Sequence, residues 1–281
     1  MNLISTPFFE TLIYSLCVYG VYMLFRQLKF PDISTDNVFS LGSISFAYFL
    51  LNLSNIYLSI ILTFITGFIA GGFTSILYSK LKIPKLLCGI ITYSILFSLN
   101  LKFFKKPNIS IPENLVPTNS TLILIIINIL IVLFVALLVQ SKLGKSINTI
   151  GNNTAILKEF KAPTFWILLL GSGISSALIA LSGGLTTIYF GFADVGLGIG
   201  LLVNSVASII ITENLMLYFP KKFHIFLIPV GVFVYNLLLF FVITYLSFGF
   251  LDFTDYKLIS GLIIILFFIT SNKKAKEIIS F

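Results

Sequence analysis

The 281 residues are 58% hydrophobic and only 10% charged, with a mean hydropathy of +1.07. Ordinary soluble domains carry roughly 25% charged residues, so a soluble globular fold is excluded and the class is a polytopic membrane protein. The net charge of +8 would suggest nucleic acid in a soluble chain. Here the basic residues lie in short connections between apolar runs, where they set topology, and no nucleic-acid partner is expected.

Nine apolar runs are long enough to be candidate spans, given about 20 residues per crossing. They lie near 8–25, 38–53, 56–78, 85–101, 121–140, 164–184, 197–213, 225–250 and 256–271. The opening stretch MNLISTPFFE lacks the basic start of a signal peptide, so the first run is expected to be retained. Cys17 and Cys88 each sit inside a run and read as small buried hydrophobes, with neither disulfide nor metal spacing. The third run carries Gly67 and Gly71 in a GxxxG, and the sixth carries Gly171, Gly173, Gly183 and Gly184. Such small residues let helix backbones approach closely, so these glycines are read as helix-packing positions. TLILIIINILIVLFVALLV at 121–139 is too apolar for a soluble core helix. GSGISS at 171–176 is discarded as a dinucleotide loop because it lies within a span and follows no strand. The second, seventh and ninth runs are short enough to be tilted, broken or re-entrant. His224 cannot make a metal site alone and reads as a membrane-edge residue.

With the N-terminus outside and the C-terminus inside, fourteen of the 18 Lys and Arg fall on the inner side, from Arg26 and Lys29 to Lys273, Lys274 and Lys276. The bias favours that orientation. The expected fold is an all-α polytopic helical bundle of eight to nine spans, one transmembrane domain over 1–281. Two stretches suggest an inverted repeat. The run 8–25 leads into FPDISTDNVFSLGS, and the run 164–184 leads into FGFADVGLGIG; each pairs a long span with a Phe-x-Asp turn and a glycine-bearing short span.

No motif for catalysis or for holding ATP is present: GxxxxGK[ST], HExxH and GxSxG are all missing. Of the ten acids, Glu10, Asp32, Asp36, Glu113, Glu159, Asp252, Asp255 and Glu277 read as edge or loop residues. Asp194 and Glu213 abut apolar runs, so they either end the seventh span or face a polar cavity as pathway residues. Between the fifth and sixth runs lies LGKSINTIGNNTAILKEFKAP, residues 143–163, apolar at Leu143, Ile147, Ile150 and Leu157. Its spacing suits two short helices around a Gly-Asn-Asn turn, with Asn153 in a cap region. Such an element either lies on the membrane surface or docks a soluble partner.

GNNTAILKEF and ALSGGLTTIYFGFADVGLGIGLLVNSVASIIITEN at 180–214 resemble the permease subunits of ATP-binding-cassette importers. The type is that of the branched-chain amino acid and ribose systems, and within it the tryptophan- and tyrosine-type amino-acid uptake permeases. Phe25-Arg26, Phe30-Pro31-Asp32-Ile33-Ser34, LKIPKLLCGI at 81–90 and SLNLKFFKKPNI at 98–109 follow the same order, so the resemblance covers most of the chain. It implies that the loop 142–163 is a cytoplasmic coupling element, with the ATPase-docking positions falling on Gly144, Gly151, Asn152, Asn153 and Ala155. Thr154 stands where proline is usual, and Glu159-Phe160-Lys161 where small or apolar residues are usual. The family's glutamate falls on Glu213. The resemblance further implies ABC ATPase subunits holding ATP and Mg on their own chains, an extracytoplasmic substrate-binding protein, a second permease copy and lipid as partners. This chain binds no cofactor or metal of its own in that reading, and its place is the bacterial inner membrane. The outer segments near 105–118 and 186–197 are candidates for meeting the binding protein. The alternative is a stand-alone secondary transporter or channel, which would need buried carboxylates for ion coupling; a third class is a membrane scaffold or enzyme subunit with no pathway.

Overall fold

The computed structural model describes residues 5–104, 108–115, 120–152, 163–220, 223–246, 261, 262 and 265. In chain order the elements are α1 (Ser5–Tyr22), a π turn (Met23–Gln27), α2 (Thr35–Leu53), α3 (Ile56–Ser79), α4 (Lys85–Phe104), β1 (Asn108–Ser110), α5 (Ser120–Gln140), α6 (Lys142–Asn152), α7 (Thr164–Phe190), β2 (Phe192–Asp194), α8 (Leu201–Met216) and α9 (Ile228–Leu246). The expected all-α membrane bundle is what forms. Six of the described helical segments are long and apolar enough to cross a membrane: α1 with its π turn, α3, α4, α5, α7 and the segment Ile225–Val242. The ninth expected span, 256–271, lies almost wholly outside the described residues.

α7 is the axle. It is 27 residues long and buries one face after another against α3, α2 and α1. The reason is its small-residue stripe. A Cβ on Gly183 would overlap the carbonyl of Phe39, and one on Gly42 would overlap that of Ala180. Gly67 lies over Ala177 and Ala180, Gly71 over Ser172 and Ser176, and Gly184 over the Phe46 ring. Lipid is as apolar as leucine, so close packing and interhelical hydrogen bonds hold such helices together. The bonds are present: Ser172 Oγ donates to the Gly71 carbonyl at 2.9 Å, Ser182 Oγ to that of Ile13 at 2.8 Å, and Ser43 and Thr187 share a hydroxyl bond at 2.7 Å. The apolar α5 has one polar anchor. Asn128 donates to the Leu12 carbonyl and, at 2.8 Å, to Ser15 Oγ.

The register of these contacts gives direction. Ile13 of α1 meets Ser182, whereas Gly20 meets Ser175 and Ile179, so α1 and α7 run antiparallel. The two halves begin alike. Asp32 Oδ1 accepts from the Ser34 N–H at 2.8 Å, and Asp194 Oδ1 accepts from the Gly196 N–H at 2.6 Å. Each Phe-x-Asp therefore closes the same i→i+2 turn, one after α1 and one after the oppositely directed α7. The helices that follow, α2 and α8, do not read as full spans. α2 carries too many polar residues, and α8 has only 16 residues.

Several expectations are corrected. The seventh span begins at Leu201, not 197, because 195–200 is a chain of turns in which Gly200 takes φ +88° and Gly198 lies against the Asp36 carbonyl. The sixth helix does not stop at 184; it continues to Phe190, where Gly191 at φ +74° ends it. Asp32 lies in a loop, as expected, but a buried one, and Asp36 stands in the first turn of α2 rather than at an edge or in a loop. Asp32 is 1% exposed, and Asp36 caps a distant helix. An antiparallel ladder, Asn108 opposite Asp194 and Ser110 opposite Phe192, joins the α4–α5 connection to the α7–α8 connection. The bundle thus has a sheet end and, at the far end of α7, an α6 end.

Candidate functional site: a surface helix geared to the bundle

α6 is an 11-residue helix that runs on through Gly151 and Asn152, the first two residues of the expected turn; the expected second helix lies outside the described residues. Ser141 starts it: its Oγ accepts from the Gly144 N–H at 3.2 Å and donates to the Leu138 carbonyl at 2.6 Å. The corner is tight, and a Cβ on Gly144 would strike the backbone of Leu138 and Val139. Ile147 and Ile150 are buried, as their spacing predicts, but Leu143 is exposed. The apolar face is therefore one turn shorter than the pattern suggested. Asn152 ends the described helix; Asn153 and Ala155 lie outside the described residues.

The buried face of α6 seats on the π turn that ends α1. There Leu28 N–H bonds back to Met23 and Phe30 N–H to Leu24, each at 2.9 Å, before Lys29 at φ +48° breaks the helix. Gly151 lies directly on the carbonyl of Gln27, and the side chains of Leu28 and Ile147 together cover Gly171 of α7. A π turn widens a helix locally and is frequent at functional sites. Here it swings Arg26 toward α8.

Arg26 grips Glu213 with two of its three nitrogens: Nε to Oε1 at 2.6 Å and Nη2 to Oε2 at 2.7 Å. Arg26 is 15% exposed and Glu213 4%. A fork-to-fork pair fixes orientation as well as charge, and its burial makes each partner costly to leave alone. Glu213 is thus held at the last turn of α8. The other end of α8 is held as well. Asp36 accepts from the Gly200 N–H at 2.9 Å and from the Leu202 N–H at 2.8 Å, and Ser40 Oγ accepts from the Gly198 N–H at 3.1 Å. A carboxylate on a helix N-terminus satisfies orphan donors and opposes the dipole. Both ends of α8 are therefore clamped by residues of the first half, one from each side of the Asp32 turn. Burial pushes the Asp32 carboxyl above the ordinary carboxylate range.

The remaining acid singled out from sequence, Asp194, stays at the sheet end in its turn and in β2. The structure does not bring it near Glu213. A small polar gap, roomy enough for about one water, lies between α1, α8 and α9, where Tyr235 donates to Asn204 at 2.8 Å and Asn236 donates to Thr11 at 3.2 Å. Sequence reading missed Arg26, Asp36 and Asn204. Arg26 looked like a topology charge, and Asp36 like the second acid of a polar loop.

The comparisons agree with this architecture. The family model for the branched-chain amino acid transport system permease component matches residues 3–269. A tyrosine transport system permease protein of Clostridioides difficile (strain R20291) is 34% identical over 94% of this chain and 89% of its own length. An uncharacterised protein of Rickettsia prowazekii (strain Madrid E) is 29% identical over 99% of this chain and 100% of its own. No solved structure matches.

Proposed function

Because the chain belongs to the family of branched-chain amino acid transport system permease components, we propose that it is the membrane-spanning subunit of an ATP-driven amino-acid importer, with α6 as the element that receives the ATPase stroke. The tyrosine-system relative favours an aromatic amino acid as cargo. In this reading ATP and Mg stay on a pair of partner ATPase subunits, an extracytoplasmic binding protein delivers the solute, and a second permease copy completes the pathway. The α6 end then faces the cytoplasm of a bacterial inner membrane, and the sheet end, with β1 and β2, faces the binding protein.

One observation carries the reading. A surface helix rests by a glycine on a π turn whose arginine holds the end of an internal half-length helix. A push on α6 moves Gln27 and Leu28, and Arg26 with them. Glu213 follows, and α8 shifts relative to α7. A ligand or partner can bias such an equilibrium only through contacts that differ between the two states, and these contacts form a continuous chain from the docking helix to α8. The test is purification of the chain from mild detergent, followed by identification and quantitation of what accompanies it. An ATPase in near-equal ratio, lost in Asn152→Glu/Asn153→Glu while the permease stays folded, is the expected result. A chain that purifies alone and moves solute in liposomes without ATP overturns it in favour of a stand-alone transporter.

A further inference from the structure

At the α6 end a cavity of about 320 Å³ opens between the α3–α4 corner and the start of α7. Tyr78, Ser79, Lys82 and Lys85 line one side, and Ile150 and Thr164 the other. No acid is among the described lining residues. Lys85 is held in place: its Nζ donates to the Lys29 carbonyl at 2.9 Å and lies over the Tyr78 and Phe30 rings, 5.7 and 6.0 Å from their centroids. The corner itself is pinned by Lys82 at φ +56°. Two ammonium groups and three hydroxyl-bearing side chains around one space form a receptor for a compact anion.

The surroundings decide what bears that anion. The lysines alternate with exposed leucines: Leu81 stands between Lys80 and Lys82 and is 62% exposed, and Leu86 and Leu87 follow Lys85 at 50% and 47%. So much bare leucine is stable only against hydrocarbon, while the ammonium groups require polar surroundings. The corner therefore sits at the depth where acyl chains give way to headgroups. Basic pockets at that depth suit lipid phosphates. We propose that this cavity binds the phosphate of an anionic phospholipid, whose acyl chains run along Leu81, Leu86 and Leu87. Since Ile150 of α6 forms part of the wall, the bound lipid would touch the underside of that helix.

The test uses the purified full chain alone, so it stands or falls separately from the importer reading. The protein is exchanged into mixed phosphatidylglycerol and phosphatidylcholine vesicles, re-extracted, and the retained lipid counted by native mass spectrometry. Wild type is expected to retain phosphatidylglycerol preferentially. Retention should fall roughly fivefold for Lys82→Ala and again for Lys82→Ala/Lys85→Ala. Lys102→Ala, at the other end of α4, should leave it unchanged. If loss of the Lys85 contact prevents folding, Lys82→Ala alone carries the test. Unchanged retention in the variants overturns the site. Equal thermal stabilisation by inorganic phosphate without lipid overturns the lipid as its source.

Discussion

At the scale of single residues, the Arg26–Glu213 pair is the most exacting feature. Removing one member of a buried ion pair strands the other and typically costs about 3–5 kcal/mol, whereas removing both can be close to neutral. Arg26→Gln and Glu213→Gln are each expected to lower thermal stability by that order, and the double variant to recover most of it, in melts followed by fluorescence-detected size exclusion. If the pair only stabilises, the double variant also transports normally. If it transmits motion, the double variant keeps its fold and its ATPase but loses transport per ATP hydrolysed. Neither the pairing nor the Asp36 cap was legible in the sequence. Arg26 and Glu213 are 187 positions apart, and nothing in the local pattern around either one names the other. Asp32 and Asp36 look equivalent within FPDISTD, yet one closes its own turn and the other reaches the first N–H groups of α8.

Among whole elements, hydropathy located the long helices well because each is a continuous apolar run in a solvent that forces backbone bonds to close internally. It failed where glycine decides. Gly183 and Gly184 look like a helix end but are helix interior, made small by the helices that cross there; Gly191 and Gly200, with positive φ, are where the backbone actually turns. The three-residue strands had no sequence signal, since the ladder is a by-product of two connections meeting at one end. The same contacts predict a contrast within one class of substitution. Gly42→Ala drives a methyl into the Ala180 backbone and should cost about 1–3 kcal/mol or more. Gly72→Ala, inside α3, meets only Leu169 among the described residues, at 4.0 Å, and should cost nothing and gain up to about 1 kcal/mol from helix propensity. Denaturant or thermal unfolding of the two single variants side by side checks this; equal losses would mean that the α2–α7 contact is looser than described.

For the molecule as a whole, the two halves begin on one plan in opposite directions: a long helix, an Asp-closed turn and then a helix that does not read as a full span. The sequence hinted at this through the paired Phe-x-Asp turns, and the antiparallel register of α1 and α7 supplies the inversion. What could not be read is that the halves clasp each other, with the first holding both ends of the second's short helix. The proposed orientation, with the α6 end inside, rests on the Lys and Arg bias and is directly testable. Single cysteines placed at Lys145 on α6 and at Asn108 in β1, in a background without Cys17 and Cys88, should react from opposite sides of the membrane. The α6 position should need permeabilised cells, and the β1 position should label in intact ones. Labelling of both from one side would dismantle the topology.

α7 carries a consequence for the making of the protein. Helices α1, α2 and α3 are complete by Ser79, yet the surface they share is not delivered until Phe190 has been synthesised. At ordinary elongation rates that delay is on the order of ten seconds. Throughout it, the grooves at Gly20, Gly42, Gly67 and Gly71 face something other than their final neighbour. The nascent first half must therefore spend that interval beside lipid or an insertion factor, with its glycine grooves unfilled, while hydroxyls such as Thr11, Ser59, Thr63 and Ser75 already bond to carbonyls one turn back in their own helices. A truncation before α7 would leave a fragment that inserts but remains a target for membrane quality control.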